Sequence, residues 1–469
     1  MSKTPPVERD SGFGLRLAAI SFAALGGRIA YVLAARRHTA AWGDSFVYQN
    51  AANLLADGKG FIDPGRYQFF GVVTPSAYRP LYPLYLALWS LVDVRSTLGH
   101  RLASCLLGAA CVAIVGLAGR HFGRTPADGN RIGLIAAAAA AVSPSLWLND
   151  AGLLSESAAA VAVAVILLVL MRYWRGPSTW RAGVLGFAVA VAALGRAELV
   201  LLFPLLAWPM WRWAGSRAGR DKVMIIGAFA AGGVLLLGPW VGYNLSRFDR
   251  PVYLATGLGA SMGGGACPAA FYGPKTGYWD SGPGCSVDQA QLAIPKGMDV
   301  STPAGLAAFK KYAGAALKHE PDESVRDQQA RDQAVRYIRA HEHRFPVVVA
   351  ARVGRLWGVF RPKQTADFDG RIEGRGVTPA RLAMLWYMIL MVVGVPGLVM
   401  LWRRRQPVAP FLAIAGACTF AAALTFGVQR YRLPFDVVLP VMAAVGISAL
   451  LGRGEAQTGG GGMPKVGAA

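Results

Sequence analysis

The sequence predicts an all-α, multi-span membrane protein, and three observations carry that prediction. Apolar residues make up 54% of the 469 residues and charged residues only 16%, which leaves a water-soluble fold of this length short of polar covering. Runs such as Leu134 to Leu148 and Ala158 to Met171 approach the roughly 20 apolar residues that cross about 30 Å of hydrocarbon, and several follow one another. The formal charge is +22, and the arginines gather in short loops between apolar runs, as the positive-inside rule requires. They form no single basic face with interleaved aromatics, which argues against nucleic acid and for anionic lipid headgroups as partners.

The first apolar segment, Phe13 to Ala34, contains Arg16 and Arg28 and ends without a small-residue cleavage site. It therefore reads as a span and not as a secretion signal. Further spans are expected near Leu98 to Gly119, Arg131 to Leu148, Gly152 to Met171, Trp180 to Leu194, Leu199 to Trp213 and Lys222 to Tyr243. With the N-terminus inside, the inner loops then hold Arg120, Arg124 and Arg131, next Arg172, Arg175 and Arg181, and next Arg212, Arg217, Arg220 and Lys222. This parity requires that Pro80 to Val92 does not cross, and its shortness makes it an interfacial or re-entrant helix.

A polar stretch outside the membrane follows Tyr243. Asn244 to Thr302 is rich in Gly, Pro and aromatics and reads as irregular loop, with Gly257 to Gly265 flexible and lacking the Lys-Ser or Lys-Thr of a phosphate loop. Pro303 to His343 has mixed charge and predicts surface helices. From Val347 to Phe360, apolar residues at helical spacing opposite Arg352 and Arg355 predict a helix lying along the membrane. Last come spans near Pro379 to Trp402, Pro407 to Phe426 and Pro434 to Leu451, which put Arg403, Arg404 and Arg405 inside. The chain thus divides into an N-terminal transmembrane core over residues 1–243 with an outer loop 35–97, an outer region 244–377, C-terminal spans 378–452 and a Gly-rich tail 453–469 expected to be disordered.

Among the five cysteines, Cys105, Cys111 and Cys418 fall in predicted spans, whereas Cys267 and Cys285 share a polar outer loop where a disulfide could form and persist.

The same parity brings ionisable residues to the outer boundary. Asp44 and Tyr48 lie four apart on one face of the first outer helix; Asp150 and Glu156 flank the second outer turn; Arg196 and Glu198 flank the third; Arg430, Tyr431 and Arg432 precede the last span. Alone, Asp44 would read as a helix N-cap and Arg196 as an interfacial anchor. Two arginines facing outward oppose the charge trend and call for an anionic partner. Carboxylates and guanidinium groups at one membrane face suit transfer from a phosphate-linked lipid, the arginines holding phosphate and a carboxylate taking a hydroxyl proton.

Asp44 through Gly60 and on to Arg79-Pro80-Leu81-Tyr82-Pro83-Leu84, Leu154-Ser155-Glu156, Pro239 through Asn244, and Arg430-Tyr431-Arg432-Leu433-Pro434 resemble the GT-C membrane glycosyltransferases. Within that group the sequence is most similar to ArnT-like and protein O-mannosyltransferase-like bacterial proteins. The resemblance implies a GT-C helical bundle, an extracytoplasmic active site and inverting transfer from a polyprenyl-phosphate-linked sugar to a glycan, lipid or protein acceptor. It implies Asp44 as the catalytic acid-base position; from the charge argument above, Arg430, Arg432 and Arg196 are expected on the donor phosphate. Tyr48, Arg79, Asp150, Glu156, Tyr243, Asn244 and Tyr431 are expected to bind sugar or acceptor. Many relatives carry two adjacent acidic residues in the first loop, whereas Asp44 is followed by Ser45. The use of a divalent cation therefore stays open, and no organic cofactor is expected. Two rival readings remain: a transporter or flippase of a lipid-linked or anionic substrate, and a non-catalytic partner in cell-wall assembly.

Overall fold

The computed structural model describes residues 11–282, 284–285, 298–299, 301–372 and 374–458. Among them the chain is helical throughout, and extended pairing is limited to an isolated bridge between Ile62 and Pro75. Six helices are long and apolar enough to cross a membrane: Gly12–Arg36, Thr97–Phe122, Glu156–Arg175, Gly219–Leu245, Val377–Arg403 and Gln429–Leu451. The protein is a multi-pass, all-α membrane protein.

The expected span Arg131 to Leu148 is two helices, Pro126–Ala141 and Pro144–Gly152, bent by 48°. Pro144 disfavours helical conformation in the residue before it, and Ser143 is extended at φ −70° and ψ 112°. Two other expected spans are shorter apolar helices, Thr179–Gly195 and Ala409–Leu424. A third is a 3₁₀ turn, Ala197–Leu201, running into Leu202–Trp213. The helix Gln429–Leu451 is the axis of the bundle, with 83% of its apolar window buried, whereas Gly12–Arg36 and Gly219–Leu245 are 22% buried and form the rim.

Close approach on that rim depends on small residues. A methyl group on Gly186 would lie 1.8 Å from the Phe229 carbonyl oxygen, and one on Gly232 would lie 2.1 Å from the Gly183 carbonyl oxygen. The helices Thr179–Gly195 and Gly219–Leu245 therefore touch backbone to backbone, as small residues permit inside a bilayer. Gly186→Ala should lower stability by about 1–3 kcal/mol through overpacking. Gly227→Ala, on the same pair of helices with open space around it, should not. Unfolding midpoints in detergent for the two variants check this.

The segment Pro80 to Val92 forms a ten-residue helix, Leu81–Ser90. At 1.5 Å per residue it reaches about 15 Å, half the hydrocarbon thickness. Tyr82 and Leu86 pack it on Tyr48 and Ala52 of the first outer helix, while Leu84, Leu88 and Leu91 stay exposed.

Residues 244–377 depart from expectation in three places, and the C-terminal tail in a fourth. The stretch Gly257 to Gly265 is not irregular loop but contains a helix, Leu258–Gly265. Asp327 explains it: one carboxylate oxygen accepts the N–H groups of Gly257 (2.9 Å) and Gly259 (2.7 Å). Absent side chains let this helix lie against Glu323–Ala340, since a Cβ on Gly259 would meet the Asp327 carbonyl at 1.9 Å. In the helix Phe345–Leu356 it is the arginine face that turns inward. Arg352 and Arg355 are fully buried, because backbone carbonyls satisfy them: Arg352 donates to Gly265 and Ala423 at 2.7 and 2.8 Å, and Arg355 to Thr276 at 2.7 Å. A further helix, Pro362–Ile372, precedes the next span. The last helix runs to Thr458 and so takes in the start of the expected tail, whose residues from 459 lie outside the described residues.

Candidate active site

Asp44 opens the first outer helix, Asp44–Ala56. The N-cap position belongs to Gly43, whose φ of 58° and ψ of −131° favour glycine, so the Asp44 carboxylate is free for another partner. Ser45 is turned back on the chain, its hydroxyl accepting from Trp42 N–H and donating to the Trp42 carbonyl. The partner of Asp44 is Arg430, with a guanidinium nitrogen 2.7 Å from Oδ2. Residues at opposite ends of the sequence thus meet.

Arg430 also holds Glu156 through two nitrogens, the second 3.2 Å from Oε2. Glu156 begins the helix Glu156–Arg175 and is fully buried. The turn before it carries Leu153 at φ 55°, a left-handed conformation uncommon outside glycine and found where surrounding structure enforces it. Arg196, fully buried between Thr179–Gly195 and the 3₁₀ turn, donates to Glu156 (2.7 Å) and Glu198 (2.5 Å). One turn beyond Asp44, the Tyr48 hydroxyl donates to Ser155 Oγ at 3.0 Å, beside Glu156. Burial raises the Tyr48 phenol above its usual value, with Arg79 opposing, so it remains a donor at neutral pH.

Burial by itself would raise Glu198, but Arg196 and Arg79 hold its carboxyl below the ordinary range. A folded value below the unfolded one of about 4.3 means that its charge stabilises the fold above that pH. That contribution is lost as pH falls through the lower folded value.

Behind this row lies a cavity of about 270 Å³. Arg79, Arg196, Glu198, Ser261 and Tyr431 are the polar part of its lining, and Val200, Leu201, Leu258, Phe420 and Leu424 belong to the apolar part. Arg196 stacks over Tyr431 at 5.3 Å, and its Nη2 is buried with no partner among the described residues. A buried guanidinium nitrogen without an acceptor beside a cavity favours an anion there.

Several expected site residues go elsewhere. Arg432 is two residues past Arg430 in the 3₁₀ turn Gln429–Arg432. At three residues per turn that spacing points the two side chains in different directions. Arg432 is buried on Asp436 (2.9 Å), the Leu356 carbonyl (2.9 Å) and the Tyr387 ring. Asp150 pairs with Arg28 of the first span at 3.0 Å and accepts from Ser157 at 2.5 Å. Asn244 and Tyr243 join the base of the first loop, where Arg247 donates to the carbonyls of Phe61 and Ser76. These four therefore have partners of their own, apart from the pair formed by Asp44 and Arg430. Cys267 and Cys285 are joined by a disulfide, and Cys105, Cys111 and Cys418 are free and buried.

Two residues near the site carried no expected role. Glu198 bridges Arg196 to the cavity. Arg375 is buried, donates to Asn149 at 2.9 Å and acts on Glu156 through space. Among the many basic residues of region 244–377, no sequence signal singles Arg375 out. Among the described residues no group of three or more His, Cys, Asp and Glu side chains is arranged to hold a metal ion. Asp44 and Glu156 are bridged by Arg430.

No protein-family model and no curated protein matches the sequence. Solved structures do. The oligosaccharyltransferase of Archaeoglobus fulgidus in its apo form matches with a TM-score of 0.53 at 13% identity, over 97% of this chain and 53% of that one. The same enzyme tethered to an acceptor peptide containing an NVT sequon matches with 0.53 at 15%, over 95% and 50%. A third structure, of archaeal oligosaccharyltransferase AglB from that organism with an inhibitory peptide and a dolichol-phosphate, matches with 0.50 at 13%, over 95% and 52%. The chain spans about half the length of these structures, and what it shares with them is the fold of the matched part.

Proposed function

We propose that this protein is an inverting glycosyltransferase that moves a sugar from a polyprenyl-phosphate donor to a hydroxyl acceptor on the extracytoplasmic face. The observation that carries the reading is the row Asp44, Arg430, Glu156, Arg196, which ends on a cavity with cationic and apolar lining residues. Asp44 is the member of the row that solvent reaches, its side chain 39% exposed, so an acceptor hydroxyl can approach it.

In the reaction, Asp44 takes the acceptor proton as the oxygen forms its bond to the anomeric carbon. The bond from that carbon to the phosphate oxygen breaks on the opposite face, which inverts the centre. The electron pair leaves with the lipid phosphate, whose charge Arg79, Arg196 and Arg430 stabilise. Glu156 holds Arg196 and Arg430 in place, and Glu198 holds Arg196. Asp44, Glu156 and Glu198 set against Arg79, Arg196, Arg375 and Arg430 leave one excess positive charge, which matches a monoanionic phosphodiester. The lipid chain lies along Leu201, Phe420 and Leu424. Among the similar structures, the archaeal complex contains a dolichol-phosphate, a lipid of the proposed donor class.

The test is incubation of the purified protein with a panel of polyprenyl-phosphate sugars, reading transfer or hydrolysis. Turnover of none of them, by protein shown to be folded, would reject the reading. Arg79→Gln should lower kcat/KM for the donor by roughly ten- to a hundredfold, the loss of one charge-assisted hydrogen bond of ~1.5–3 kcal/mol. An unchanged value would remove Arg79 from the phosphate site.

A further inference from the structure

Arg430 does its work only if the short segment before the last span is held still, and that segment is tied from outside the bundle. Gly427 N–H donates to the Gly277 carbonyl at 2.8 Å. Gln429 N–H donates to Asp369 Oδ2 at 2.9 Å, and the other oxygen of Asp369 accepts the Tyr278 hydroxyl at 2.6 Å. Asp369 and Tyr278 are both 2% exposed. Trp279 lies against Phe426 with ring centroids 6.3 Å apart, and Phe426 against Tyr431 at 4.9 Å. Gly277, Tyr278 and Trp279 belong to one loop, closed by the disulfide between Cys267 and Cys285. Its backbone is seated tightly: Gly277 has a φ of 77°, and a Cβ there would meet Ala351 at 2.8 Å. Arg355 further fixes it through the Thr276 carbonyl.

We infer that this disulfide-closed loop, acting through Tyr278 and Asp369, positions Arg430 between Asp44 and Glu156, so that opening the disulfide weakens the site. The inference rests on the transferase reading for its effect on rate. Tyr278 and Asp369 act through the Gln429 amide and are not among the residues that line the cavity, so they are positioning residues. A displacement of about 1 Å at a phosphate-holding group is enough to cost a hundredfold in rate. The disulfide also confines full activity to an oxidising compartment, which agrees with an outer location.

The full-length protein in detergent is compared as wild type, Tyr278→Phe, Asp369→Asn and wild type treated with a phosphine reductant. Amide hydrogen exchange is followed across the chain, and donor kcat and KM are measured in parallel. Tyr278→Phe and reduction should each speed exchange at the Gln429 amide by about tenfold or more, with the bundle helices unchanged. Both should also lower kcat/KM by roughly ten- to a hundredfold. A merely structural loss would instead raise exchange throughout the bundle. Unchanged exchange at Gln429 after reduction and in Tyr278→Phe would overturn the inference, as would faster exchange with an unchanged rate. Exchange reports the clamp whatever the chemistry, so an inactive wild type with a reduction-sensitive Gln429 amide would count against the transferase reading alone.

Discussion

Asp44→Asn should abolish most transfer while leaving the fold intact. A positioned general base contributes about 10²–10⁴-fold, equivalent to roughly 2.7–5.4 kcal/mol of barrier. Asparagine keeps the shape of the side chain and can still accept from Arg430, but it cannot take a proton. The loss should therefore fall mainly on kcat. Stability should change by less than about 1 kcal/mol, because the Asp44 side chain is 39% exposed and its ion pair is partly solvated. Single-turnover transfer from the preferred donor measures the first quantity and detergent unfolding the second. A folded Asp44→Asn protein with the wild-type rate would end the assignment of the base.

Glu156→Gln should have the opposite profile, with a large loss of stability accompanying the loss of activity. Its carboxylate is fully buried and binds both Arg196 and Arg430. Removing one member of a buried charge network leaves its partners uncompensated, at a cost of about 3–5 kcal/mol. Glu198→Gln makes a useful comparison, since Glu198 contacts Arg196 and is 15% exposed; its cost should be smaller. Equal stability of Glu156→Gln and wild type would mean that the two guanidinium groups find solvent or other acceptors, and the row would not be the rigid element described above.

Much of this architecture was legible in the residues, because bilayer physics leaves few options. Unbroken apolar runs mark spans, and the alternation of basic loops sets which ends are expected to face outward. That was enough to bring Asp44, Glu156, Arg196 and Arg430 to one side, and the structure brings these four together. What sequence could not convey was direction over short distances. Arg430 and Arg432 look equivalent until a 3₁₀ turn separates them. Arg28 looked like a disqualifying charge in a signal peptide, yet it is the mate of Asp150. Arg352 and Arg355 seemed to face water because their partners are backbone carbonyls, which no residue pattern reveals. The Gly257 to Gly265 stretch contradicts local helix propensity, and packing on Asp327 overrides it.

The pairing of Arg28 with Asp150 bears on how the chain is made. Its members are 122 residues apart, so at ribosomal speeds of ~5–20 residues per second the arginine waits roughly 6–24 s for its aspartate. During that interval an unneutralised cation sits within the apolar helix Gly12–Arg36, where such charges are unfavourable. The nascent N-terminal helix should therefore linger beside the insertion machinery until the fourth hydrophobic stretch is being synthesised. Ribosome-nascent chains halted before and after residue 150, probed by crosslinking from position 28, would reveal whether release is delayed in this way.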